Sequence, residues 1–181
     1  FPPPPEISQR HLARQIPGKD KPTGIWIHEE DLCAESSPLA ALQPDALLVS
    51  GDDRTWDRYS YAERKRDWLR KALRDAESRA VTHFRCPASS SSSLPVASNL
   101  ASWAQEKRLS QVVTMRPETG PLADRIKPSR KPLAGAGVDL VLLDRPEDLA
   151  LRSLATGGFF GFWKKVQHQA NAPWDHGGLI A

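Results

Sequence analysis

Short β-rich runs alternate with helical stretches along most of this chain, and that alternation restricts the fold more than any single motif does. The runs are Gly24–His28, Ala46–Ser50, Val81–Arg85, Gln111–Met115 and Val138–Leu143. Several are almost continuously apolar, the pattern of strands covered on both faces rather than of a half-exposed sheet. Five such strands separated by helices predict βαβ crossovers and a five-stranded parallel, doubly wound, Rossmann-like α/β sheet with helices on both faces. Ligands of such sheets sit beyond the carboxyl ends of the strands, where the strand order reverses. The residues that follow the runs are therefore the ones to inspect: His28 to Asp31, Gly51 to Asp53, Cys86-Pro87 and Arg116 to Glu118.

Composition narrows the class. The 181 residues suffice for one α/β domain with a real core, because a chain of this size buries roughly 70% of its unfolded surface. No stretch approaches the roughly 18 consecutive apolar residues of a membrane span, and the expected location is the cytoplasm. The cysteines, Cys33 and Cys86, are too few for a disulfide scaffold and read as reduced thiols. A net charge of +3 from 25 basic and 22 acidic residues permits nucleic-acid binding without pointing to it. The run Phe1-Pro2-Pro3-Pro4-Pro5 reads as extended, since proline fixes φ and has no amide donor. Residues 1–22 are accordingly expected as an arm, 23–170 as the α/β domain and 171–181 as an irregular tail.

The clearest helix is expected from Ser60, capped by its hydroxyl with Glu63 reaching back, to about Ser78. Tyr61, Ala62, Trp68, Leu69, Ala72, Leu73 and Ala76 share one face, and Asp67 and Lys71 have i,i+4 spacing. Its arginines read either as a solvated face or as a phosphate-binding stripe. Ala88 to Ser93 is expected to be a loop and Leu94 to Ala104 a second helix with Pro95 in its first turn. Arg116 to Gly137 reads mostly as loop around a short helix at Leu122 to Ile126, and Thr156 to Ala170 as a closing helix.

Familiar chemistry finds little purchase on this frame. There is no G-x-G-x-x-G after the first strand, no P-loop and no G-x-S-x-G. His28, Cys33, His83 and Cys86 do not form the closely spaced ligand pairs of a zinc site. His83 reads as a mid-strand core residue and Cys86 as a small buried hydrophobe. Glu29, Glu30 and Asp31, with Asp52 and Asp53, have two readings. They hold a cation or ribose in a small nucleotide- or metal-dependent enzyme, or they cap helices and pair with arginines.

In order and spacing the chain resembles the N-terminal antenna-binding domain of the DNA photolyase and cryptochrome family. Trp26-Ile27-His28-Glu29-Glu30-Asp31-Leu32 stands where that family has W-F-R-R-D-L-R, and Ser36-Ser37-Pro38-Leu39-Ala40-Ala41-Leu42 where it has D-N-P-A-L. Leu47 to Asp53 matches its second strand, ending near an acidic residue. Arg64 to Leu73 matches its R-x-x-F-L-x-x-x-L-x-x-L helix, and Arg85-Cys86-Pro87 its G-x-P turn. Arg116-Pro117-Glu118 with Pro121 resembles a segment lining the antenna pocket, and Phe159 to Trp163 the aromatic stretch leading to the flavin domain. His28 and Glu29 replace the family's paired arginines and reverse the local charge.

The resemblance implies a photolyase-related module that binds an antenna-type chromophore, a folate, deazaflavin or flavin. The residues it implicates are His28, Glu29, Asp31, Gly51, Asp52, Arg116 and Glu118. The family's helical domain, which holds FAD, the electron-transfer tryptophans and the lesion pocket, has no counterpart in these 181 residues. The resemblance therefore implies no catalytic residues here, and its alternative to a bound chromophore is a module that binds no ligand and partners a separate flavin-binding chain. Trp26, Trp56, Trp68, Trp103, Trp163 and Trp174 are not read as an electron-transfer chain, because most of them fall at expected core positions of this domain. DNA binding rests only on the helix from Arg64 to Arg74 and on Lys127, Arg130 and Lys131.

Overall fold

Gly24 to His28 form most of β1 (Thr23–His28), all six residues of which are buried, because the strand lies at the centre of the sheet with helices over both faces. The computed structural model describes residues 15–91, 96–117 and 119–171. β2 (Ala46–Ser50), β3 (Ala88–Ser91), β4 (Gln111–Met115) and β5 (Asp139–Leu143) complete one parallel sheet in the order β3-β2-β1-β4-β5. The chain moves outward from β1 to β3 and returns to β4 on the other side of β1, so the switch point lies between β1 and β4. Register places His28 beside Ser50, Ser50 beside Ser91 and Met115 beside Leu143.

Strand alternation divides the core between the two faces. Trp26, Leu48, Val112, Leu140 and Leu142 pack with Leu100 and Ala104 of α3 (Val96–Glu106) and with Leu122, Ile126 and Leu133 of α4 (Pro121–Gly135). Ile25, Ile27, Leu47, Val49, Val113 and Met115 pack with Leu39 and with Leu73, Ala80 and Phe84 of α2 (Glu63–Phe84). Two 3-10 turns, Ala34–Ser36 and Pro38–Ala41, join β1 to β2, and the short α1 (Asp53–Arg58) precedes α2. The doubly wound α/β architecture expected from the sequence is the one observed.

Four local expectations are corrected. Val81–Arg85 is not a strand: α2 runs on to Phe84 because Leu69, Leu73, Ala76, Ala80 and Phe84 keep the helical period, and it stops where Arg85 turns left-handed at φ 51°. His83 is consequently an exposed helix residue, its ring edge-on to Phe84. The third strand comes instead from Ala88 and the serines at 89–91, where the backbone ladder to β2 overrides weak side-chain propensity. Ser60 does not cap α2; its φ is 50°, and Ala62 holds the cap position without a side-chain bond. Finally, Arg116 to Gly137 is mostly helix. Pro128 and Pro132 sit within α4 on exposed positions, whereas Leu122, Ile126, Ser129 and Leu133 form its buried stripe.

Several charges of α2 are paired, some within the helix and some with neighbouring turns. Arg70 bonds Glu63 and Asp67, so Asp67 meets Arg70 and not the expected Lys71, and Arg79 bonds Asp75 and Glu35. Trp68, expected on the apolar face, is 63% exposed; Trp26, Trp56 and Trp103 are buried. Residues 15–22, expected in the arm, are bonded to the sheet: Gln111 exchanges two hydrogen bonds with the Gly18 backbone, and the Pro22 carbonyl accepts from the Ser110 and Gln111 amides. The polyproline run, the residues after Asn171 and hence Trp174 lie outside the described residues.

The chain divides into two compact units, this sheet unit, 15–143, and a second that includes α5 (Pro146–Leu154) and α6 (Phe159–Asn171). α5 was missed in the sequence although Pro146 at its first turn, followed by Glu147 and Asp148, is a helix start.

Gly24 shows how tightly β1 is held. A Cβ there would collide with Trp103 Cη2 and Leu109 Cδ1, both on buried side chains. Gly24→Ala is expected to cost about 2 kcal/mol through overpacking, read as a lower urea midpoint at unchanged m-value; an unchanged midpoint would contradict this packing.

Candidate functional site at the carboxyl edge

The chain leaves β1 at His28 through a tight turn in which the Asp31 amide donates to the His28 carbonyl at 3.0 Å. This turn carries Glu29 towards the end of β2. Its Oε2 accepts from the Asp52 amide at 3.1 Å and from Trp56 Nε1 at 2.8 Å. Asp52 caps α1, accepting from the Thr55 amide at 3.2 Å and from the Thr55 hydroxyl at 2.7 Å, and Arg125 of α4 pairs with its Oδ2. Gly51 makes room for the indole: an added Cβ would lie 2.7 Å from Trp56 Cζ2 and from Leu73 Cδ1.

The electrostatics follow from burial. Desolvation raises the Glu29 carboxyl, opposed by the Trp56 hydrogen bond and by the positive charges of Arg125 and Lys65, and reinforced by Glu30. The Arg125 guanidinium is lowered by burial and partly restored by Glu29. Asp52 is 3% exposed, and a buried carboxylate persists only with donors or a partner of opposite charge; here Thr55 and Arg125 supply both.

His28 lies at the switch point itself. It is 2% exposed, its Nε2 meets the Met115 carbonyl at 2.9 Å, and its ring is edge-on to Trp26 at 5.6 Å. Burial depresses its pKa, with the Met115 bond and the Asp31 charge opposing. Among the described residues its Nδ1 has no hydrogen-bond partner, nor does the buried hydroxyl of Thr114 on β4.

The depressed His28 pKa has a consequence for stability. The unfolded chain takes up a proton on this residue near the ordinary value of 6.5 while the folded chain resists it. Stability is therefore full above 6.5 and falls as pH drops below it. Urea midpoints at pH 7.5, 6.5 and 5.5 are expected to fall across this series, and His28→Gln is expected to flatten the fall. An equally steep fall in the variant would show that another group is responsible.

The structure thus draws His28, Glu29, Asp31, Gly51 and Asp52 together at the ends of β1 and β2. Arg116 turns to β5 instead, its amide donating to the Leu143 carbonyl at 2.7 Å and its Nη2 reaching the Leu142 carbonyl at 3.5 Å. Glu118 lies outside the described residues. Trp56, Thr55 and Arg125 complete the network and were missed as members of the site. The Asp52 to Thr55 spacing is a capping signal that was available; Arg125 could be found only by recognising α4. Among the described residues no cluster of three or more His, Cys, Asp or Glu side chains forms a metal site. Cys33 is exposed, Cys86 is buried, and both are free thiols.

No known family model matches the chain, and no curated protein matches it either.

Proposed function

We propose that this chain is a photolyase-like α/β binding module that acts by docking on a separate flavin-binding chain. The observation that carries this reading is the aromatic face of α6. Phe159 is 66% exposed, Phe160 80% and Trp163 46%, with the Phe159 and Trp163 rings stacked at 6.3 Å and 7°. No described residue from 145 to 169 is buried. A helix with an aromatic stripe stays soluble and ordered best when another surface covers it. α6 also carries Lys164 and Lys165 and no carboxylate, so the complementary face is apolar with an acidic rim. The carboxyl edge supports the same reading, because Glu29, Asp52 and Arg125 are engaged with one another in holding the loops.

Aromatic side chains at an interface centre commonly contribute 2 kcal/mol or more each. Phe160→Ser combined with Trp163→Ser is therefore expected to weaken the complex with the flavin-bearing chain about a thousandfold, while leaving the urea midpoint of this chain unchanged. Capture from the native host, read by flavin absorbance in the complex, checks this; a complex that survives the double substitution contradicts it.

A second reading, an antenna chromophore (folate, deazaflavin or flavin) at the carboxyl edge, is favoured by one feature. His28 Nδ1 and Thr114 Oγ1 are buried polar atoms near the switch point without partners among the described residues, and the polar edge of a flat ring there would satisfy them.

A further inference from the structure

At the opposite end of the sheet from the carboxyl edge, a cavity of about 500 Å³ opens beside the start of β4 and β5. It exists because two glutamine side chains hold residues 15–18 to the sheet. Gln111, 1% exposed, accepts from the Gly18 amide at 2.8 Å and donates to the Gly18 carbonyl at 2.9 Å. Gln15 Oε1 accepts from the Leu142 amide of β5 at 2.6 Å. Edge strands leave alternate amides unpaired, and a side-chain amide is one way of covering them. The segment held in this way forms one wall and the second half of α4 the other.

The lining has two characters. Ile16, Ala134, Val138, Leu140 and Val141 are apolar, and Ile16 is 78% exposed at the rim. The charges are Arg130, Lys21 and Asp139. Lys21 Nζ is bonded to Asp139 at 2.8 Å, so those two compensate each other. Arg130, exposed, has no carboxylate partner among the described residues, which leaves the cavity with one uncompensated positive charge beside an apolar surface. The volume falls within the roughly 300–1,000 Å³ of small-molecule sites.

We propose that this cavity binds a small amphipathic anion, a carboxylate or sulfonate with an apolar body, its head on Arg130 and its body against Ile16, Ala134 and Leu140. The site shares no residue with the docking face or with the carboxyl edge. Gln15 and Gln111 are positioning residues that hold the wall, and Arg130 selects the sign of the ligand's charge.

The test uses octanoate and its cationic counterpart octylammonium, titrated calorimetrically into the whole chain. Octanoate is expected to bind saturably at one site and octylammonium not to bind. Arg130→Gln is expected to weaken octanoate about tenfold, the loss of one charge-assisted contact, and Ala134→Phe to abolish binding by filling the cavity. Both positions are exposed, so the urea midpoints of these variants should match the parent chain. Phe160→Ser with Trp163→Ser, which removes the exposed aromatic face of α6, is expected to leave octanoate binding intact. Equal binding of the two probes, no effect of Arg130→Gln or Ala134→Phe, or loss of binding in the α6 variant would each overturn the proposal.

Discussion

Trp56→Ala is expected to destabilise the chain by about 4 kcal/mol, the usual range for emptying a fully buried large aromatic position. Trp56 is 0% exposed, lies against Gly51 and Leu73, and donates to Glu29 at 2.8 Å. Truncation therefore opens a cavity and also removes one of the two donors of a half-buried carboxylate. The melting temperature should fall by about 10 °C. Trp56→Phe separates the two contributions, since it keeps most of the volume and loses the bond; about 1–2 kcal/mol is expected. Denaturant unfolding of both variants checks the ratio, and equal losses would show that the Glu29 bond and not packing dominates.

Asp52→Ala should cost about 3 kcal/mol, for three reasons that act together. The helix cap on the Thr55 amide is worth about 1 kcal/mol, and the bond from the Thr55 hydroxyl about 1 kcal/mol. The ion pair with Arg125 adds the remainder. Its share is held down because the Arg125 side chain is 26% exposed while that of Asp52 is 5% exposed, so Arg125 can turn to water or to Glu29 when its partner is removed. Arg125→Met, which strands the buried carboxylate instead, is expected to be about as costly. A double-mutant cycle should return a coupling of about 1 kcal/mol or more. Were Asp52 held ready for a ligand or a metal, Asp52→Ala would spare stability, so a loss below about 1 kcal/mol would count against the structural role assigned to it.

These two predictions also show what was legible in the sequence. Continuous apolar runs such as Ile25–Ile27 and Leu47–Val49 disclose strands buried on both faces, and the sheet follows from their alternation with helices. Val81–Phe84 misleads because β-branched and aromatic residues in a four-residue run fit either a strand or the last turn of a helix; only the longer period from Leu69 through Ala80 decides between them. The serines of β3 carry no apolar signal, since that strand lies at the sheet edge and is defined by its ladder to β2. α4 was hidden by Pro128 and Pro132, which are tolerated because they lie four apart on its exposed side.

The site was half legible for a related reason. Glu29 and Asp52 announce themselves by following strands, and both occur where the fold predicts. Their partners do not: Arg125 comes from the helix that the prolines hid, and the Trp56 indole reaches Glu29 from 27 positions along the chain. Arg116 also follows a strand, but its guanidinium reaches a β5 carbonyl, and no sequence pattern fixes a long side chain's direction. The α6 aromatics were visible as a motif; their exposure was not, because it depends on what the second unit leaves uncovered.

The central claim is that this chain binds a flavin-bearing partner through α6. The measurement that tests it most directly is an absorption spectrum from 300 to 500 nm of the complex purified from its native host, repeated after the chains are separated, with mass spectrometry of the small molecules released from each. The account predicts a flavin band that travels with the second chain and a colourless fraction for this one. A stoichiometric folate, deazaflavin or flavin released from this chain alone, with no flavin-bearing partner in the preparation, would contradict it and move the function to the carboxyl edge at His28 and Thr114.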